Sequence, residues 1–230
     1  MKGGLVMVAY FYPAEERRLL PVYEVVAPWG LPVLKVGLPH RFSSRRRERM
    51  ARRLYDRGLR RYLSAEGAGK FLPLVPVDPL PLCRAKGAEL LLALMSQVEV
   101  RERRVALRGS QADPLAWALG GALCPRVGAL LLDFDRGEEA LSRHLRDRYG
   151  AVCLHLGQGP EPQAALELAP RPESLPRTIA LWGRAELPGL TLGVAEGHLP
   201  PEYPRLPFLE LLWETGRVSL EGVLVGPEAE

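Results

Sequence analysis

The sequence predicts an α/β protein whose larger module is a doubly wound parallel sheet with helices on both faces. Three observations carry that expectation. Between Arg104 and Leu156, apolar runs alternate with segments of 3.6-residue periodicity in the order strand, helix, strand, helix, strand. The helical segments sit where parallel strands need crossover connections, which an antiparallel hairpin would not require. The strand-like run at residues 127–132 is continuous rather than alternating, as in a sheet covered on both sides.

Taken in chain order, residues 5–11, 22–26 and 33–36 read as strands, the last two separated by the turn residues Pro28 and Gly30. Residues 43–62 form a helix with Ala51, Leu54, Tyr55, Gly58, Leu59 and Tyr62 on one face, and Ser43 or Ser44 supplies a hydroxyl to cap its orphan N–H groups. A strand over 71–75 and a proline-rich linker over 76–81 close a small N-terminal α/β module, residues 1–81. A second domain, residues 82–230, opens with a helix over 82–98 that turns Leu90, Leu91, Leu94 and Met95 inward.

A strand over 105–107 then leads into Arg108, Gly109 and Ser110, and the next helix opens at Asp113 and Pro114, with Leu115, Leu119, Ala122 and Leu123 on one face. The strand at 127–132 is followed by a helix over 137–149 through Leu141, Leu145 and Tyr149, and then by a strand over 151–156. Glycine and proline fill 157–163 where another crossover helix would fall, so the strands at 164–169 and 178–182 follow without one. Residues 187–207 are dense in Pro and Gly and read as irregular surface, ending in a helix over 208–215 that docks Leu209, Leu212 and Trp213. The glutamate-rich last residues are expected to fray.

Composition narrows the class. With 230 residues and 47% hydrophobic positions, the chain can bury a full core. No run approaches the roughly 18 apolar residues of a membrane span, and Met1, Lys2, Gly3 and Gly4 lead into a strand-like segment with no cleavage site, so a cytoplasmic protein without a membrane partner is expected. Cys83, Cys124 and Cys153 are far apart in sequence and lie in or beside apolar segments, which favours buried reduced thiols over disulfides or zinc. Lysine is confined to Lys2, Lys35, Lys70 and Lys86, isoleucine to Ile179, and asparagine is absent. All three have AT-rich codons, so the pattern points to a GC-rich bacterial genome, and the formal charge of +4 says less about nucleic acid than it otherwise would.

The layout from Arg104 to Leu156, preceded by a helix, resembles the NAD(P)-binding Rossmann domain of two-domain enzymes such as shikimate dehydrogenase and glutamyl-tRNA reductase. So does the passage Asp133, Phe134, Asp135, Arg136 followed by Glu138, Glu139, Ala140 and Leu141. The resemblance implies a nucleotide crevice at the carboxyl ends of the strands, formed by Gly109, Ser110, Asp133, Arg136 and Gly157, with Asp133 accepting hydrogen bonds from an adenosine ribose and Arg136 facing a 2′-phosphate. The first strand–helix turn departs from the family. It reads R-G-S-Q-A-D-P in place of G-x-G-x-x-G, so Gln111 stands where pyrophosphate needs bare backbone, and Asp113 as a cap would put a carboxylate at the positive helix end.

The expectation is therefore a degenerate Rossmann-like nucleotide site with a binding or regulatory role and no bound cofactor. An NAD(P)-dependent oxidoreductase is the alternative. A small-molecule nucleotide remains the candidate ligand, and nothing opposes homo-oligomerisation. The second alternative rests on the helix carrying Arg45, Arg46, Arg49, Arg52 and Arg53, which could hold nucleic acid or an acidic partner. Because that helix already has an apolar stripe, a solvated outer face is favoured and nucleic acid is not expected. Of His40, His144, His155 and His198, only His155 falls at a strand's carboxyl end, and the sequence holds neither H-E-x-x-H nor G-x-S-x-G.

Overall fold

The computed structural model describes residues 8–14, 20–39, 41–173 and 175–227. The beginning of the first expected strand, His40 and the last three residues lie outside that set. The chain forms two compact units, one of Met1–Pro79 with Leu192–Leu224 and one of Leu80–Thr191 with Val225–Glu230.

The first unit contains a sheet of β1 (Val8–Pro13), β2 (Val22–Val26), β3 (Val33–Leu38), β4 (Arg61–Ser64) and β5 (Val75–Pro76), with α1 (Ser44–Asp56) connecting β3 to β4. The strand order is β2-β3-β1-β4-β5. All neighbours are parallel except β2, which runs antiparallel to β3 at the edge. In β1 the run Val8, Ala9, Tyr10, Phe11 is buried throughout, as befits a central strand. Ser43 caps α1 by accepting from the Arg46 N–H, and Met50, Ala51 and Leu54 pack in one cluster with Ala9, Phe11 and Val36.

The helix is shorter than its periodicity suggests. Gly58, with φ near 99°, turns the chain, and Tyr62 and Leu63 enter β4 as buried strand residues. Two further expectations need correction. Phe71 to Leu74 form a turn, closed by the Leu74 N–H on the Phe71 carbonyl at 2.9 Å, rather than a strand. The helix expected over 82–98 is two helices, α2 (Leu80–Ala85) and α3 (Gly87–Leu94), broken at Lys86. Gly87 lets Leu119 and Leu181 approach to 3.0 and 2.9 Å of where a Cβ would be, a closeness that no larger residue permits.

The second unit continues with β6 (Arg104–Gly109), α4 (Pro114–Leu123), β7 (Ala129–Phe134), α5 (Glu138–Tyr149), β8 (Cys153–His155), β9 (Ala164–Glu167) and β10 (Thr178–Ala180). Every pairing in this sheet is parallel, and the order is β10-β9-β6-β7-β8. Counted within the unit the order reads 3-2-1-4-5, the arrangement of a Rossmann sheet with its switch point at the first strand. The fold is α/β and Rossmann-like on that ground. α3 packs on α4 and α4 on α5, so the three helices lie side by side, and α3 also meets β9 while α5 meets β7 and β8. Ala106, Leu131 and Ala165 share the same register across β6, β7 and β9 and are covered by Leu156 and Leu175 from two loops. The glycine- and proline-rich connection after β8 is helix-free, as its composition requires.

β11 (Leu190–Val194) lies inside the segment expected to be irregular, α6 (Arg205–Glu214) starts three residues earlier than its periodicity indicates, and β12 (Val223–Pro227) pairs with β11. α6 buries Phe208, Leu209, Leu211 and Leu212, and Tyr203 links it to the first unit's sheet by lying 4.7 Å from Phe208 and 4.6 Å from Tyr10, ring centre to ring centre. Among the described residues, no helix is long and apolar enough to cross a membrane.

Candidate functional sites

Ligands of a parallel α/β sheet bind at the carboxyl ends of its strands, where the order reverses. In the second unit that place is the end of β6, with β9 on one side and β7 on the other, and it is occupied by an ion network. Arg108 stands on central β6 in register with Asp133 on β7 and Glu167 on β9, so all three side chains leave the same face. Its Nε donates to Asp133 at 2.8 Å and its Nη1 to Glu167 at 2.9 Å and to the Glu173 carbonyl at 2.8 Å, with the guanidinium side chain only 3% exposed. A buried guanidinium in a central strand needs carboxylates at both flanks, and the register supplies them.

Arg171, from the loop after β9, lies across the strand ends. Its Nη2 donates to the Asp133 carbonyl at 2.8 Å and to the Gly109 carbonyl, and its Nη1 pairs with Asp135 at 2.8 Å. The second oxygen of Asp133 is 3.4 Å from Arg171. The acid expected to hold a ribose thus has both oxygens facing guanidinium groups of its own chain.

The neighbouring residues are committed in similar ways. The absent side chain at Gly109 leaves room for the Phe134 ring, 3.0 Å from where a Cβ would sit, and for Leu168. Ser110 is exposed. Asp113 caps α4, accepting from the Ala116 N–H at 2.9 Å, and Ala112 donates to the Arg136 carbonyl at 2.9 Å. Asp135 pairs with Arg171, and the Arg136 side chain, expected to face a 2′-phosphate, is exposed. Gly157 follows β8, with β7 between it and β6, in a positive-φ turn near 90°. Gly109, Ser110, Asp133 and Arg136 are therefore brought together at one strand junction, while Gly157 stands apart from them.

Asp113→Ala is expected to lower stability by about 0.5–2 kcal/mol, because it leaves an orphan N–H at the start of α4. The shift of the urea denaturation midpoint measures it, and an unchanged midpoint would show that the cap contributes nothing.

No family model and no curated protein matches the sequence. Among solved structures, the chain is similar to the crystal structure of L-tryptophan dehydrogenase from Nostoc punctiforme, with a TM-score of 0.35 and 10% identity. The match covers 77% of this chain and 63% of that one, so the chain spans under two thirds of that protein's length. The strand order, not this distant likeness, is what assigns the fold.

A second cleft, of about 480 Å³, lies beside the carboxyl end of β8 and includes His155, Glu138, Ser142, Arg143, Arg146 and Cys153. His155 Nδ1 is 2.6 Å from one Glu138 oxygen, and the other accepts from the Phe134 N–H at 2.8 Å. Glu138, the first residue of α5, thereby holds the imidazole by a carboxylate that the backbone itself fixes. Cys83, Cys124 and Cys153 are buried and form no disulfide. Folding brings Cys124 and Cys153 together, and their hydrogen bond, with burial, pushes the Cys124 thiol well above its ordinary range. No group of His, Cys, Asp and Glu among the described residues is arranged to hold a metal ion.

The arginine helix of the first unit forms one wall of a groove of about 410 Å³. Arg46, Arg49, Arg53 and Arg57 line it, joined by Tyr23, Phe42, Met50 and Leu54. Arg45 and Arg52 lie outside it, and Arg52 pairs with Glu48 at 3.4 Å. Burial pushes the Tyr23 hydroxyl above its ordinary value, and Arg53 and Arg57 oppose that push. Periodicity along α1 could separate these two sets of arginines, but the aromatic wall comes from β2 and the loop before α1, which no local pattern links to the helix.

Proposed function

We propose that this chain is a binding protein whose Rossmann-like unit is a scaffold, and that it takes neither NAD(H) nor NADP(H). The observation that carries this reading is Arg171, whose guanidinium engages the Gly109 and Asp133 carbonyls and Asp135 at the junction where a dinucleotide would lie. A ribose would have to displace a hydrogen-bonded cation from Asp133, and a pyrophosphate would meet the Asp113 carboxylate at the start of α4. Oxidoreduction therefore has no evident place for its cofactor in this unit.

Isothermal titration with each of the four nicotinamide nucleotides tests the reading. The expected result is no dissociation constant tighter than about 10 μM, roughly −7 kcal/mol. Tighter binding to the native protein that is lost on replacing Asp133 by Ala would restore the oxidoreductase reading.

A further inference from the structure

The groove on the first unit has a composition that the scaffold reading does not use. Its basic wall presents Arg46, Arg49, Arg53 and Arg57, three or four residues apart, so their side chains rise in one row along α1 and its cap. The row covers about 16 Å at 1.5 Å per residue. No carboxylate lines the groove, and no described acid forms an ion pair with any of the four. Fold stability gives no reason for concentrating unneutralised guanidinium groups, because each repels the next.

The opposite wall is apolar and aromatic. Tyr23 and Val25 project from β2 on the side that α1 covers over the neighbouring strand, since Tyr23 is in register with the buried Val36. Tyr23 lines the groove and is 52% exposed, and Val25, outside the groove lining, is 66% exposed. Phe42, half-buried, stands beside the helix start.

We propose that this groove binds a single strand of nucleic acid, with backbone phosphates on the arginine row and an unstacked base against Tyr23. The two walls match the two faces of such a strand: guanidinium groups neutralise and hydrogen-bond phosphates, and an exposed aromatic ring offers a stacking surface with no sequence preference. A duplex keeps its bases stacked inside and cannot use the aromatic wall. An acidic peptide could use the arginines but gains nothing particular from Tyr23. This inference goes beyond the scaffold reading and does not depend on the state of the strand junction in the other unit.

Fluorescence anisotropy of the full chain with labelled single-stranded RNA and DNA of about twelve nucleotides tests it, the two arms distinguishing the sugar. With four phosphates neutralised, affinity for a single strand should fall about 50-fold between roughly 50 and 200 mM salt. The double variant Arg49→Glu with Arg53→Glu should lose about tenfold or more, and Tyr23→Ala about fivefold or more. The double variant Arg45→Glu with Arg52→Glu carries the same change of charge outside the groove and should stay within about twofold of the native protein. Circular dichroism checks that each variant is folded.

Absence of binding at low salt overturns the proposal. So does an equal loss in the two double variants, which would mean diffuse charge only. Polyglutamate competing as well as oligonucleotide, with Tyr23→Ala unchanged, overturns it in favour of an acidic protein partner. Duplex binding as tight as single-strand binding also overturns it.

Discussion

Replacing Arg108 by alanine is expected to destabilise the protein by about 3–5 kcal/mol, because it leaves carboxylates in the sheet without their counter-charge. The Glu167 side chain is only 9% exposed and has Arg108 at 2.9 Å. Its carboxylate cannot regain in water what it loses in the interior. Asp133 is less affected, being 25% exposed and still within 3.4 Å of Arg171. The loss thus falls mainly on Glu167, which makes a second variant informative. Arg108→Met together with Glu167→Leu removes charge and counter-charge at once, and it should recover most of the stability, since a well-packed apolar pair is often as good as a buried ion pair. Urea denaturation followed by circular dichroism measures both. A single-variant loss under about 1 kcal/mol would mean that water reaches the network and that the pair behaves as a surface salt bridge. Native hydrogen exchange gives an independent check, because the faster amides in Arg108→Ala should be those of β6, β7 and β9.

Phe71→Ala should cost a comparable amount, about 3–5 kcal/mol, by another route. Phe71 is fully buried and stacks on Phe11 with ring centres 3.7 Å apart, while Tyr62 meets it edge-on at 5.3 Å. These residues come from the turn after β4, from central β1 and from β4, so neither strand can follow to fill the void. The penalty combines lost transfer free energy with an unfilled cavity, and the aromatic stack contributes roughly 0.5–1.5 kcal/mol beyond its buried area. Phe71→Leu keeps most of the volume and should cost clearly less. If Ala and Leu shift the denaturation midpoint equally, the loss comes from the ring contacts and not from the cavity.

Local pattern made much of the fold legible. A run such as Leu130, Leu131, Leu132 can be satisfied only between two covered faces, and the periodicity of α4 and α5 on either side of β7 dictates the crossovers that make the sheet parallel. The cap at Asp113 was readable for the same reason, since Asp followed by Pro at the start of an apolar-periodic segment has few other uses. Failures occurred where two local signals coincide. Leu59 and Tyr62 continue the i+3, i+4 spacing of α1, yet Gly58 takes a positive φ, and the following residues are buried as strand instead. Periodicity counts apolar positions and does not register the sign of a glycine's φ.

The sites show the same boundary more sharply. Gly109, Asp133 and Arg136 could be placed at a strand junction from sequence, because the ends of consecutive parallel strands must lie side by side. Arg171 could not, being 38 residues from the Asp133 carbonyl it bonds. One clue was present: Arg108 interrupts an apolar strand, and a charge there demands carboxylates at its own level on both neighbours.

Sequence by itself determined what depends on a residue and its near neighbours: the elements of the Rossmann-like sheet, the cap of α4, the helix-free connection after β8 and the basic row on α1. Tertiary structure alone decided what those features face. It placed Arg171 over the junction, turned one of the two arginine sets of α1 toward the groove, and set Tyr23 across from it. The physical reason is that periodicity and capping are short-range, whereas a site joins groups whose distance in space is set by strand register and chain crossing, quantities that no single segment carries.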